Sequence, residues 1–182
     1  MLKEWGQIFI MMKFKEYFKP DRNKWGGRAD IVLPQYKFVY LKRKCEYWRE
    51  KNKLISILWR ALYQKYKIKY LMDIPSSTQI GQGFKIEHIG GVVINSEAIL
   101  GNDVTILNNV LIGMEKRGSR MGTPIIGDKV YIASGAVIVG KVKIGNNVLI
   151  AANSFVNFDV PDNSVVIGNK IISSPSATDS YI

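Results

Sequence analysis

The chain has few of the residues that most often carry chemistry: one histidine and one cysteine among 182 residues. The lone Cys45 excludes an intramolecular disulfide framework and suits a reducing compartment, and packing within a helix is its plain role. One histidine also excludes any centre that needs several imidazoles. No window approaches the roughly 20 apolar residues of a membrane span. The apolar run from Ile8 to Met12 is too short for a secretory signal and lacks a small-residue cleavage site. Acidic residues are scarce in residues 1–72, where 6 Asp or Glu face 18 Lys or Arg, whereas residues 73–182 hold 9 against 8. The net charge of +11 is therefore confined to the first part, which also holds all four tryptophans, Trp5, Trp25, Trp48 and Trp59. At 47% hydrophobic and 23% charged residues the chain is globular, of one to one and a half domains.

What is present is a count in sixes. From Ile80 every sixth residue reads Ile80, Ile86, Val92, Ala98, Val104, Val110; from Ile126 it reads Ile126, Ile132, Ile138, Ile144, Ile150, Val156. All are apolar, and all but Ala98 are β-branched. A strict period of six drifts around an α-helix of 3.6 residues per turn, so an amphipathic helix does not explain it. One short strand plus a turn does, and three such units close an 18-residue triangular coil, the signature of a parallel β-helix. The sixteen residues from Val110 to Ile126 read as two hexads plus four residues, an extruded loop over 114–123. Gly81, Gly101, Gly127, Asn102, Asn108, Asn146 and Asn147 fall at corners, where positive φ is expected. The period says nothing of handedness, and the general rule for parallel crossovers is right-handed.

Before the repeats, residues 2–18 read as a helix that Pro20 ends, followed by a loop through Asp21 to Pro34. Tyr36 to about Tyr70 reads as helical, with apolar Phe38, Leu41, Cys45, Trp48, Leu54, Ile57, Leu58 and Leu62 on one side and a break at Asn52. The other side carries Lys42, Arg43, Lys44, Arg49, Lys51, Lys53, Arg60, Lys65, Lys67 and Lys69. Two readings of that basic side stay open: attraction to an anionic membrane surface, or a solvated face whose apolar back packs on the prism or on a neighbouring subunit. No nucleic-acid reading motif accompanies the charge. The expected divisions are a basic α-helical region 1–72, a β-helix 73–172 and a flexible tail 173–182.

The segment Asp73 to Gly168 carries Asp73-Ile74-Pro75, Ile80-Gly81-x-Gly83, His88-x-Gly90-Gly91-Val92-Val93, Pro124-x-Ile126-Gly127, Ile132-Ala133-Ser134-Gly135-Ala136 and Asp159-Val160-Pro161, with Lys116-Arg117-Gly118 and Gly122-Thr123-Pro124 in the loop. By these residues it resembles the hexapeptide-repeat acyltransferases, on their serine-acetyltransferase-like branch, and by the loop most closely the serine-acetyltransferase-like enzymes of surface polysaccharide synthesis. The resemblance implies a mainly β fold, a left-handed parallel β-helix with an α-helical N-terminal region, assembled as a homotrimer. It implies acetyl-CoA as donor without a metal, His88 as general base and Asp73 on the ring's other nitrogen. Glu87 and Thr123 are the expected acceptor contacts; Gly113, Met114, Ser134 and Ala152 the expected pantetheine contacts. Arg117 (or Lys116) is expected at the pyrophosphate and Lys170 at the 3′-phosphate.

Serine acetyltransferases carry Arg-His-Pro in the loop where this chain has Gly122-Thr123-Pro124. Without that cation and imidazole a free serine carboxylate loses charge-assisted hydrogen bonds of about 1.5–3 kcal/mol each, so a sugar hydroxyl, in a glycan or lipid-linked precursor, is the favoured acceptor. Serine O-acetylation is the alternative. A γ-type carbonic anhydrase needs three histidines around zinc and is excluded. A non-enzymatic β-helical scaffold is the remaining reading, against which the loop 114–123 argues. The expected location is the cytoplasm, with peripheral contact at the inner membrane face left open.

Overall fold

The structure, a computed structural model, describes residues 13–26 and 32–182. Its main body is a three-sided prism of parallel strands. The first side stacks β1 (Met72–Asp73), β4 (Val92–Ile94), β7 (Leu111–Gly113), β10 (Val137–Val139) and β13 (Phe155–Val156). The second stacks β2 (Gln79–Ile80), β5 (Ile99–Leu100), β8 (Ile125–Ile126) and β11 (Lys143–Ile144). The third stacks β3 (Lys85–Ile86), β6 (Thr105–Ile106), β9 (Val130–Ile132), β12 (Val148–Ile150) and β14 (Ser164–Ile167), and is closed by β15 (Lys170–Ser173), which runs antiparallel to β14.

All twelve residues of the six-residue count point inward, none more than 8% exposed. Each side contributes a second inward residue two positions away, so that Ile74, Ile94, Ile112, Ile138 and Val156 form one buried column and Ile86, Ile106, Ile132, Ile150 and Val166 another. Like stacked on like fills the prism with shape-matched branched side chains, the packing that β-branched residues favour.

Register exposes what the count conceals. Ile125 pairs with Lys143 and Val130 with Val148, coils of eighteen residues. Lys85 pairs with Thr105 and Met72 with Val92, a first coil of twenty, whereas the next pairing on the first side, Val93 with Leu111, is again eighteen. The two surplus residues therefore lie at the corner 87–91. Ile99 pairs with Ile125, so the extruded loop adds eight residues rather than four. Val148 pairs with Ser164, so the corner near 157–159 is two residues short.

The corner chemistry also differs from expectation. Among the corner residues named from sequence only Asn147 has positive φ; the others with it are Asp103, Asn109, Lys129, Asn153, Asn163 and several further glycines. Gly101 is required by close approach instead, because a Cβ there would meet Asp128 Oδ1 and come within 2.7 Å of the Gly127 backbone. Side chains at this corner form a staircase: Asn102 Oδ1 accepts from Gln82 N (3.0 Å), Asp128 Oδ1 from Asn102 N (2.7 Å), Asn146 Oδ1 from Asp128 N (2.8 Å) and Asp162 Oδ1 from Asn146 N (2.8 Å). Backbone donors that turn away from the ladder are thus satisfied one coil on.

Most of the helix expected over 2–18 lies outside the described residues; Phe14–Tyr17 (α1) is its described end. Pro20 does not stop the chain there. It sits in the first turn of a further short helix, α2 (Lys19–Lys24), where a missing N–H costs nothing. Two long helices follow, α3 (Pro34–Arg49) and α4 (Lys53–Lys69), with Asn52 Oδ1 capping the Ile55 N–H of α4 at 3.1 Å.

The faces of these helices correct the sequence reading twice. Lys42 and Arg43 are 0% and 2% exposed, not part of a solvated basic side. Arg43 clasps Asp21 through Nε (3.0 Å) and Nη2 (2.9 Å), and Nη1 donates to Glu46 (2.8 Å) and to the Ile80 carbonyl (2.8 Å). Lys42 pairs with Glu46 and donates to the Thr78 carbonyl at 2.9 Å. This buried cluster fastens α2 and α3 to the first coil. Conversely Leu54, Ile57 and Leu58, on the apolar side expected to pack on the prism or on a neighbouring subunit, are 76%, 59% and 71% exposed and do not pack on their own chain's prism. The expected flexible tail folds back: Ser174 N donates to the Asn163 carbonyl, Thr178 Oγ1 to Asn147 Oδ1 (2.6 Å), and Tyr181 rests against Tyr131.

Candidate active site

His88 lies in the enlarged corner. From Ile86 the third side must turn into Val92 through five residues where the coil above uses three. Gly90 and Gly91 make the turn at φ of 104° and 67°, and Gly91 N donates to the Leu71 carbonyl while the Gly90 carbonyl accepts from Asn109 N. Backbone bonds therefore pin both ends of the excursion, and the imidazole at its tip is exposed, with no hydrogen bond from another described residue. A residue missed in the sequence reading supports it: Gln35 Nε2, at the start of α3, donates to the Glu87 carbonyl at 3.3 Å. No local sequence signal joins positions 52 apart.

Stacked on that corner along the same prism edge are Asn108, Ser134 and Ala152. Ser134 Oγ donates to Asn108 Oδ1 at 2.8 Å, and Asn153 N to the Ser134 carbonyl at 3.0 Å. Lys170, paired with Ile167 in the closing hairpin, reaches the same edge at the last coil. His88, Ser134, Ala152 and Lys170 are thus brought onto one line, with small residues between them.

Gly113, Met114, Arg117 and Thr123 are not on it. They sit at the far end of the first side, where β7 ends and the loop begins, about 13 Å from the His88 edge at the usual strand rise over four residues. The loop is closed by paired backbone bonds between Glu115 and Gly122 (3.0 and 2.9 Å), and Glu115 Oε1 accepts from Lys116 N and Arg117 N. Thr123 Oγ1 donates to the Glu97 carbonyl at 3.1 Å. Toward the loop end of this side lies a groove of about 420 Å³ lined by Asp73, Val93, Asn95, Leu111, Gly113 and Met114.

The expected carboxylates have other partners. Asp73, on β1 one rung below Val93, pairs with Lys67 Nζ at 2.8 Å, with 69% of its side chain exposed, and makes no bond to His88. Glu87 pairs with Lys85 Nζ at 2.6 Å. Among the described residues no group of three or more His, Cys, Asp or Glu side chains is placed to hold a metal.

The arrangement can accept a proton at an exposed imidazole beside a shallow edge with room for a thin chain, and offers a groove across one face. Comparison with known proteins agrees with this geometry. The family described as "Bacterial transferase hexapeptide (six repeats)" matches residues 123–157. An Escherichia coli (strain K12) protein named as a colanic acid biosynthesis acetyltransferase, WcaB, is 35% identical over 153 residues, covering 81% of this chain and 91% of its own length. Serine acetyltransferase 2 of Arabidopsis thaliana is 35% identical over 122 residues, covering 67% of this chain; the chain spans only 37% of that protein. A solved serine acetyltransferase in complex with CoA superposes with a TM-score of 0.70 at 21% identity, over 94% of this chain and 74% of that one. The prism is a left-handed parallel β-helix, and the chain belongs to the hexapeptide-repeat acyltransferases, on their serine-acetyltransferase-like branch.

Proposed function

We propose that this protein moves an acetyl group from acetyl-CoA to a sugar hydroxyl during surface polysaccharide synthesis, with His88 as general base. The observation that carries the reading is the two-residue enlargement of one corner, which lifts the chain's sole imidazole out of the prism onto the edge shared by Ser134 and Ala152. His88 would take the proton of the acceptor hydroxyl as that oxygen attacks the thioester carbonyl, then return it to the departing thiolate of CoA. Asp73 would orient the ring and stabilise its cation once released from Lys67. Ala133, Ser134, Gly135, Ala151 and Ala152 leave an edge that pantetheine can approach, with Lys170 at its end for a phosphate.

Gly113, Met114, Arg117 and Thr123 join the site in this reading through a neighbouring copy. Three-fold association sets the loop edge of one prism against the His88 edge of the next, giving a homotrimer with sites between chains. The relative named for colanic acid synthesis and the Gly122-Thr123-Pro124 loop favour a sugar over serine. Names of the plant relatives favour serine as the second reading.

The test is release of CoA thiol with wild type and His88→Ala against hexose, aminosugar and serine acceptors. The His88 side chain makes no bond to another described residue, so the variant folds normally, while turnover falls about 10²- to 10⁴-fold. Equal rates would remove His88 from the mechanism.

A further inference from the structure

Away from the His88 edge, between α4, the end of α3 and the turn after β1, lies a cleft of about 620 Å³, within the size range of small-molecule sites. Arg49, Arg60 and Lys67 line it together with Ser76 and Ser77, and among the described residues no carboxylate does. Arg60 has no ion pair among the described residues. Arg49 has only a loose surface pair with Glu50 at 3.4 Å, both side chains more than half exposed. The other titratable lining groups add no negative charge: burial pushes the Cys45 thiol up to about 12 and the Tyr63 phenol well above its usual value, and the Tyr63 hydroxyl donates to the Ile74 carbonyl at 2.8 Å. Lys67 is paired with Asp73, but Arg49 and Arg60 repel one another across the cleft until an anion enters, and guanidinium groups match phosphate oxygens two at a time.

The cleft and the groove of the candidate active site share Pro75, and the Lys67–Asp73 ion pair stands between them, Lys67 lining the one and Asp73 the other. At the mouth of the cleft Ile57 is exposed, with Leu54 and Leu58 beside it on the same helix. We infer that the cleft binds the diphosphate of a glycosyl diphosphate acceptor, whose sugar then extends past Asp73 into the groove. This rests on the acetyl-transfer reading above and names its acceptor class. Arg49 and Arg60 hold the phosphates. Lys67 turns from Asp73 to the ligand, which frees the carboxylate for His88 only when an acceptor is bound.

The probe is inorganic pyrophosphate, titrated calorimetrically into the full chain and into the Arg49→Gln/Arg60→Gln double variant. Both arginines are exposed, so the variant keeps its circular dichroism and its affinity for acetyl-CoA. Pyrophosphate binds the wild type, weakens with added salt, and binds the variant about 10- to 100-fold less tightly. In acetyl-transfer assays the variant has a raised KM for a glycosyl diphosphate with kcat nearly unchanged, and unaltered kinetics with the same sugar lacking phosphate. A nucleotide diphosphate sugar and a polyprenyl diphosphate sugar in detergent, run side by side, tell which carrier supplies the diphosphate. Equal pyrophosphate affinity in both proteins, or equal KM of wild type for phosphorylated and unphosphorylated sugar, overturns the assignment. Should no sugar be acetylated by wild type, the acetyl-transfer reading fails, and the pyrophosphate titration still decides the cleft.

Discussion

Replacing Arg43 with alanine tests how the helical region is held to the prism. The guanidinium is 2% exposed and donates to Asp21, Glu46 and the carbonyls of Ile80 and Gly81, joining α2, α3 and the first coil at one point. Its loss leaves two backbone acceptors unmet and strips the fully buried Asp21 of the one cation it has among the described residues, while Glu46 keeps Lys42. Breaking a buried pair from one side costs about 3–5 kcal/mol. For a chain of this size that lowers Tm by roughly 6–20 °C, at about 2–4 °C per kcal/mol. The penalty also depends on pH. Burial pushes the Asp21 carboxyl above its ordinary value even against Arg43, so without the guanidinium it takes up a proton rather than stay charged. A carboxyl whose folded pKa is raised contributes stability below its unfolded pKa and loses it as pH rises, so Arg43→Ala loses more at pH 8 than at pH 5. Thermal unfolding followed by circular dichroism at the two pH values reads both effects. Adding Asp21→Ala to Arg43→Ala should cost less than the sum of the two, because the orphaned charge is gone. A Tm drop below about 2 °C, or strict additivity, would show that the cluster is not what anchors the helices.

Gly91→Ala places a methyl group at a φ of 67° and against Asn109 Oδ1, so it costs about 1–2 kcal/mol and shifts the corner that carries His88; acetyl transfer falls while CoA affinity holds, measured by initial rates beside calorimetry. Cys45 is 2% exposed with its thiol pushed up to about 12, so at pH 9 iodoacetamide modifies it only on unfolding. Its folded pKa being raised, stability is intact below the unfolded value and lost as pH climbs from 9 toward 12; denaturant titrations should show wild type losing about 1 kcal/mol more than Cys45→Ala between pH 9 and 10.

The prism was legible because one residue in six must face a core with no room for anything but a branched apolar side chain. The same redundancy hid its irregularities. Both inward positions of each side take Ile or Val, so a slip of two residues moves the count from one buried column to the other and every sixth residue still reads apolar. Ile80 and Ile86 belong to one set of columns, Val92 through Val110 to the other, and Ile126 onward to the first again. A count in sixes accordingly gives the loop four extra residues where the register gives eight, and it hides the surplus at 87–91. In the helices, periodicity separates two faces but not which is buried. Lys42 and Arg43 are buried because their partners arrive from elsewhere, Asp21 before them and the carbonyls of Thr78, Ile80 and Gly81 well after. No window centred on α3 contains those groups.

The deviations from regularity are therefore the informative positions. A coil of strictly eighteen residues stacks without gaps and leaves no side chain unemployed; nothing in its own stability calls for two more residues, two left-handed glycines and an exposed imidazole at one corner. The eight-residue loop is likewise surplus to the prism, and it lies at the opposite end of the same side. One surplus feature alone is consistent with a tolerated insertion. Two, at the two ends of the single side that also carries Asp73 and the groove, are what the proposed site requires of that side. They also fit the proposed assembly of the site between chains: the strands between them hold the two edges about 13 Å apart, and in that proposal a second prism laid alongside brings one copy's loop to the next copy's His88.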